Sequence, residues 1–290
     1  MDSITVKAPA KINITLDILG RRSDGYHELR SIMHSVSVYD TLIIKKQDTD
    51  GLSLYCDTPG VPCDDRNLVI KAARSFLEHH GIRQGLSFEL TKTIPSMAGM
   101  GGGSSDCAAT LLGLDRMLGT GMSQDELIEM GKRLGADVPF CIAGGCQICE
   151  GIGEKLTTLR SMPDCYIAIV KPTVSVSTPK AFAAYDNMPS PKMSDFKKIC
   201  LAFEKGVLGG ICSEIFNALE YASDCEEIFA IKDELCRLGA KASMMTGSGS
   251  AVYGIFDNEE KAQACCEAMS EKLPFARVCR PLQNGCEIYE

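Results

Sequence analysis

The chain has 290 residues, 45% of them hydrophobic and 23% charged, enough for two domains or one large one with a sizeable core. A net charge of −8 argues against a broad nucleic-acid-binding face but leaves room for a local basic pocket that takes a small anion. No apolar run approaches the length of a membrane span, and the opening MDSITVKAPAK has neither a signal-peptide nor a transit-peptide pattern, so a cytoplasmic protein is expected.

The first element is a strand in ITVKAPAKINITLDIL, where Ile12, Ile14, Leu16 and Ile18 fall in phase and Pro9 marks a bend. The next turn, GRRSDGYHEL, gathers Arg21, Arg22, Asp24, Tyr26 and His27. Taken alone, Lys11 is either a solvated strand residue or part of a site, and the turn is either an ordinary hairpin or a binding loop. A second long strand is expected in SIMHSVSVYDTLIIKK. Leu68, Ala72, Ala73, Phe76 and Leu77 recur with helical spacing, so a helix is expected from Asn67 to His80, stopped by Gly81. Leu86 to Thr93 returns as strand.

That strand feeds IPSMAGMGGGSSDCAATLLGLDRML, a turn packed with small residues and joined to a helix pattern. Ala98, Gly99, Gly101, Gly102 and Gly103 let backbone N–H groups approach a polyphosphate closely, and Ser104 and Ser105 open a helix whose free amides favour anions. The alternative is a flexible glycine turn between strand and helix. The common P-loop is excluded because no lysine lies between Lys92 and Lys132, and Pro95 interrupts a Rossmann-type approach.

Ser123 and Glu126 form a capping box for a helix ending near Gly135. In LGADVPFCIAGG, Asp137 sits among apolar neighbours, so it either caps the next turn or works in a site. The stretch GGCQICEGIG reads as a strand with Cys146 and Cys149 on opposite faces, the wrong arrangement for a zinc pair. The fifteen cysteines are an odd number in a chain without a secretion signal, so reduced, mostly buried thiols are expected.

CYIAIVKP is a short apolar strand that begins a second domain near residue 160. Helices are expected after Thr178, near 193 to 205 and near 224 to 238. A strand near Ala242 follows, then the small-residue turn TGSGS, the strand AVYGIF, a helix from Glu259 to Ser270 and a last strand from Phe275 to Pro281. By itself TGSGS is compatible with a simple hairpin.

Taken together, PAKIN with GRRSDGYHEL, the Pro95 to Ser105 loop, LGADVPF and TGSGS resemble the GHMP kinases, and the resemblance spans essentially the whole chain. It implies a two-domain α+β fold: residues 1–160 similar to ribosomal protein S5 domain 2 and residues 161–290 ferredoxin-like. The long DGYH turn is similar to that of the branch acting on a cytidine diphosphate-linked sugar alcohol in non-mevalonate isoprenoid precursor synthesis. That branch transfers the γ-phosphoryl group of ATP to the 2-hydroxyl, with Mg²⁺, and no nucleic-acid or membrane partner is implied.

Residue by residue, the resemblance makes Asp137 the catalytic aspartate and Lys11 the cation beside it. Pro95, Ala98, Gly99, Gly101, Gly102, Gly103, Ser104 and Ser105 would hold ATP, with Asp106 pointing away from its phosphates. Asn13, Tyr26, His27, Asp137, Thr178, Phe182, Gly247 and Ser248 would meet the other substrate, Tyr26 and Phe182 enclosing the base and His27 reading its edge. Phe182 is otherwise a helix-core residue. The magnesium ligands stay unassigned. Two rival readings are another GHMP kinase, which needs no cytidine, and a family member that binds without catalysis.

Overall fold

A computed structural model describes residues 1–223 and 225–290, so residue 224, where a helix start was expected, lies outside the described residues. In chain order, strands β1 (Ser3–Arg21), β2 (His27–Gln47) and β3 (Leu52–Cys56) lead to helix α1 (Leu68–His80) and strand β4 (Gly85–Thr91). Helices α2 (Gly102–Leu118), α3 (Gln124–Lys132) and α4 (Val138–Ala143) follow, then strands β5 (Cys146–Gly151) and β6 (Lys155–Thr158). The second half begins with β7 (Tyr166–Lys171), α5 (Thr178–Asp186), α6 (Phe196–Lys205), α7 (Leu208–Cys212), β8 (Phe216–Asn217) and α8 (Ala218–Tyr221). It closes with α9 (Glu226–Arg237), β9 (Ala242–Met245), β10 (Val252–Phe256), α10 (Glu259–Ser270), β11 (Phe275–Cys279) and β12 (Glu287–Tyr289).

The local signals behave as their chemistry requires. Asn67 Oδ1 accepts from Val69 N at the start of α1, Gly81 closes that helix at φ 63°, and Ser123 and Glu126 form the reciprocal box on α3. Strand β3 alternates, with Leu52, Leu54 and Cys56 packed on the core, whereas β6, β8 and β12 carry no period of their own and exist through their partners, β12 through its register with Thr5 to Lys7.

Strands β12, β1, β2, β4 and β3 run in that order through an eight-stranded sheet, with β5 and β6 extending from β2 and β8 lying parallel to β1. A second, four-stranded antiparallel sheet has the order β11-β7-β10-β9. The apolar core falls into three bodies. One joins Ile4, Val6 and Ala8 to Phe76, Leu111 and Phe140 under the first helices. The next lies between the sheets, with Ala10, Ile12 and Ile14 against Ile167, Ile169 and Tyr253. The last joins Val170 and Val252 to Leu235 and Met269 under the later helices. Cys149 belongs to the first body and Cys146 to the second, on opposite faces of their strand. All fifteen cysteines are unpaired, and burial pushes thiols such as Cys265 and Cys165 up to about 11 and about 12.

Pro9 does more than bend β1. The β1–β2 register shifts between Pro9 and Ala10, so Val6 and Ala8 face the helices while Ala10, Ile12 and Ile14 face the second sheet. The two extra residues at this step, Ser37 and Val38, lie on β2, and both strands change the face they present to the core across this irregularity. Lys11 and Asn13, which continued alternation would aim at the second sheet, are thereby aimed at the helix side.

Two buried polar clusters fix neighbouring segments. Lys92, just past β4, sits between Asp40 and Asp106, with its Nζ 2.6 Å from Asp106 Oδ2. Asp40 Oδ1 accepts from Thr93 N at 2.6 Å and Ile94 N at 2.8 Å, so the cluster ties β2, the exit of β4 and the second turn of α2 together. Burial, aided by Asp40, raises the Asp106 carboxyl above its ordinary value against the opposing pull of Lys92. His34, fully buried in β2, donates from Nδ1 to Ser35 O and accepts at Nε2 from Met162 N and Ser161 Oγ. It thus staples the first sheet to the segment entering the second as a neutral ring, and burial lowers its pKa from 6.5 to about 4.

Two outcomes follow from these clusters. Lys92→Met leaves two buried carboxylates without their cation and should lower unfolding free energy by about 3–5 kcal/mol in urea titrations. The stability that depends on a neutral His34 is fully present above pH 6.5 and is lost as the pH falls toward about 4. The full effect is about 3 kcal/mol, and His34→Gln should flatten that part of the stability profile.

Candidate active site

Backbone groups of β1 at Pro9 and Lys11 are bonded by the glycine loop. Lys11 N donates to Met100 O at 3.0 Å, and Ser105 Oγ donates to Pro9 O at 2.7 Å. The loop therefore docks on β1 at the residues flanking Lys11. Gly101, at φ 71°, is the point of closest approach, since a Cβ there would lie 2.9 Å from Lys11 Cγ. A side chain at this position would push Lys11 aside in addition to straining the backbone.

Lys11 is 4% exposed. Its Nζ donates to Asn13 Oδ1 at 2.7 Å and lies 3.6 Å from Asp137 Oδ2. Asp137 occupies the N-cap position of α4 but makes no side-chain cap bond, which leaves its carboxylate free to face Lys11 and the cleft. Of the two readings open from sequence, the geometry departs from the capping one. Asn13 is held in turn by Ser31, whose Oγ accepts from Asn13 Nδ2 at 2.8 Å.

The turn between β9 and β10 closes the site from the second sheet. Thr246 Oγ1 accepts from Asn13 N at 3.0 Å and reaches Gly99 O at 3.3 Å, and Ala251 N donates to Ala98 O at 3.2 Å. Asn217 Nδ2 donates to both Met245 O and Gly247 O, and Glu220 accepts from Met245 N. TGSGS is thus a docked wall that joins the glycine loop to β1. Ser248 Oγ lies 2.7 Å from Thr178 Oγ1 at the start of α5, which places those two residues side by side.

Two cavities meet at this point. One, of about 260 Å³, is lined by Pro95, Ala98, Gly99, Gly101, Gly102, Gly103 and Ser104 together with Lys92 and Leu68. The other, of about 850 Å³, is lined by Lys11, Asn13, Tyr26, His27, Asp137, Thr178, Phe182, Gly247 and Ser248. Gly99, Gly101 and Ser104 line both. Ser105 stands apart from the other loop residues, because it is fully buried and its hydroxyl is committed to Pro9 O. Asp106 is turned from the cavities toward Lys92, with its Oδ1 buried and unpartnered.

At the DGYH turn, Tyr26 is 60% exposed beside the larger cavity. Phe182 stacks on the His27 ring, with centroids 4.7 Å apart and planes 20° apart, rather than facing Tyr26 across a gap. His27 Nε2 lies 2.7 Å from Asp186 Oδ1, and Arg21 Nη1 lies 3.9 Å from Asp186 Oδ2. Sequence reasoning missed Asp186, the last residue of α5, because no local pattern separates it from other exposed acids. It also passed over Thr246, Lys92 and Asn217. Of these, Thr246 was within reach, since a hydroxyl leading a glycine turn is a natural cross-link for a second loop.

Comparison with known proteins accounts for this assembly. The family profile "GHMP kinases N terminal domain" matches residues 67–145, and "GHMP kinases C terminal" matches residues 195–274. A 4-diphosphocytidyl-2-C-methyl-D-erythritol kinase of Clostridium botulinum is 42% identical over 281 residues, covering 96% of this chain and 100% of the relative. The crystal structure of a 4-(cytidine 5'-diphospho)-2C-methyl-D-erythritol kinase superposes with a TM-score of 0.82 at 30% identity, covering 96% of this chain and 98% of that one. The L. major mevalonate kinase solved with R-mevalonate shares the fold, with a TM-score of 0.74 at 17% identity over 96% of each chain. With the two domain profiles and near full-length identity above 40% in agreement, the chain belongs to the GHMP kinase family, among its 4-diphosphocytidyl-2-C-methyl-D-erythritol kinases.

Proposed function

We propose that this chain transfers the γ-phosphoryl group of ATP to the 2-hydroxyl of 4-diphosphocytidyl-2-C-methyl-D-erythritol, giving the 2-phosphate and ADP in isoprenoid precursor synthesis. The observation that carries the reading is the Lys11–Asp137 pair, 3.6 Å apart, on the wall of a cavity that shares Gly99, Gly101 and Ser104 with the glycine-loop cavity. One unit, residues 1–160, supplies this pair, the loop and the DGYH turn. The other, residues 161–290, supplies Thr178, Phe182, Gly247 and Ser248.

ATP phosphates would lie at the start of α2, where no side chain caps the helix and its first amides are free to donate. Holding Asp106 against Lys92 keeps that carboxylate from opposing the phosphates. The substrate hydroxyl would stand beside Asp137, which accepts its proton as the oxygen attacks the γ-phosphorus and the bond to ADP breaks. Lys11 keeps the Asp137 carboxylate oriented and stabilises charge on the attacking oxygen. In a loose transition state the proton leaves late, so positioning by the pair outweighs base strength.

The residues present suit a magnesium ion carried in by the phosphates. Among the described residues no three His, Cys, Asp or Glu side chains converge as an all-protein cage, while Ser104 lines both cavities and Asp137 lines the larger one. Those two would contact the ion, whose chemical contribution is to neutralise phosphate charge. Tyr26 and Phe182 would take the base, with His27 on its polar edge. For that, Phe182 must exchange its His27 contact for the base.

The first test is ADP release with ATP and Mg²⁺, comparing 4-diphosphocytidyl-2-C-methyl-D-erythritol with mevalonate, homoserine and galactose. Turnover confined to the cytidine substrate is expected. Turnover with another alcohol would overturn the specificity, and ATP binding without any turnover would favour a non-catalytic binder. Asp137→Asn should lower kcat by about a hundredfold or more with ligand binding nearly intact, and wild-type turnover would remove Asp137 from its role. His27→Ala should mainly raise KM for the cytidine substrate, and an unchanged KM would exclude base reading by this turn.

A further inference from the structure

The back of α4 is closed by the end of the chain. Gly144 follows the helix at φ 66°, and a Cβ there would sit 2.1 Å from Gly285 N. A Cβ at Gly145 would lie 2.7 Å from Gln283 O, and one at Gly285 would lie 3.1 Å from Cys141 O. Residues 283–285 therefore pack backbone against backbone on the exit of the helix that begins beside Asp137. A cleft of about 810 Å³ borders Ala143, Gly144, Gly145 and Gln283 as well, so part of this exit faces open space and the chain end supplies packing elsewhere around it.

The same segment is stitched to the strand pair that carries Lys11. Leu282 N donates to Ser35 O at 2.9 Å, and Ser35 N donates to Gly145 O at 2.8 Å. Ser35 is the register partner of Lys11 across β1 and β2. One residue of β2 thus joins the chain end, the exit of α4 and the strand position opposite the lysine.

We infer that residues 281–286 form a strap that sets the position of Asp137 relative to Lys11, with Gly285 as a positioning residue for phosphoryl transfer. The inference rests on the kinase reading above. Helix α4 has six residues and spans about 9 Å, so a shift forced at its exit is carried through to Asp137. A displacement of about 1 Å in a reacting group can cost about a hundredfold in rate. The strap acts from behind the helix and touches neither cavity of the active site, so it should alter turnover without altering ligand affinity.

The test is steady-state kinetics of the full chain carrying Gly285→Val or the milder Gly285→Ala. Gly285 is outside the left-handed region, so the added atoms act by contact with Cys141 O and Gly144 rather than by backbone strain. Gly285→Val should lower kcat by about tenfold or more, with both KM values within about twofold of wild type, and Gly285→Ala should fall between. The double variant with Asp137→Asn should turn over no more slowly than Asp137→Asn alone, because the strap acts through that carboxylate. Deleting residues 287–290, which removes β12 but keeps the strap, should leave kcat within about twofold.

Wild-type kcat in both Gly285 variants, full additivity in the double variant, or an equal loss on deleting 287–290 would overturn the strap. If Gly285→Val does not fold, Gly285→Ala and the double variant built on it decide. Turnover by the wild-type chain tests the kinase reading and the variant-to-wild-type ratio tests the strap, so the two failures are distinct.

Discussion

The register shift between Pro9 and Ala10 is the constraint on which the site depends. A strand of unbroken alternation would put Lys11 and Asn13 among the apolar side chains between the two sheets, where an unpaired ammonium is costly. The faces reverse across the shift, where β2 carries the two extra residues Ser37 and Val38, so Ile12 and Ile14 fill that core and Lys11 meets Asn13 and Asp137. Proline suits the position because it has no N–H to leave unpaired where the ladder is interrupted. The carbonyl of Pro9 and the N–H of Lys11 then anchor the glycine loop through Ser105 and Met100, so one irregularity both aims the lysine and docks the loop.

Charge is sorted around this arrangement. Asp40 and Asp106 lie close to the start of α2 yet are engaged by Lys92, and Asp137 faces Lys11 in the larger cavity beside the glycine loop. Burial makes the sorting strict, since a carboxylate without a partner in the interior favours its neutral form. The second sheet contributes through backbone as much as side chains, with Thr246 and the Ala251 amide holding the turn against Gly99 and Ala98. Asn217 and Glu220 fix the opposite side of that turn, so the wall is rigid although it is built largely of glycine and serine.

Much of this was legible in the residues. Apolar spacing located α1, the capping box located α3, and continuous apolar runs located β7 and β10, whose residues are buried on both faces. Asn67, Gly81, Ser123 and Glu126 marked helix ends through hydrogen bonds made within a few residues. Site residues in compact motifs, such as Asp137 in LGADVPF and Gly101 in the glycine loop, were legible for the same reason. Asp186, Lys92 and Asn217 were not, because each acts on a partner far along the chain, as Asp186 does on His27. The stack of Phe182 on His27 was hidden as well, since two residues separated by more than half the chain meet only once α5 packs beside the DGYH turn.

The sequence by itself determined the periodic elements, the glycine-serine loop, the candidate lysine and aspartate, and the family resemblance. These are written in local side-chain chemistry and in turns that need particular residues. Tertiary structure alone decided that Pro9 borders a face-reversing register shift rather than a simple bend, that Ser105 holds the loop with its hydroxyl, and that the last residues return to close the first sheet and the back of α4. Each of these depends on registers and close approaches between segments distant in the chain, and no local pattern encodes which distant backbone group a hydrogen bond will find.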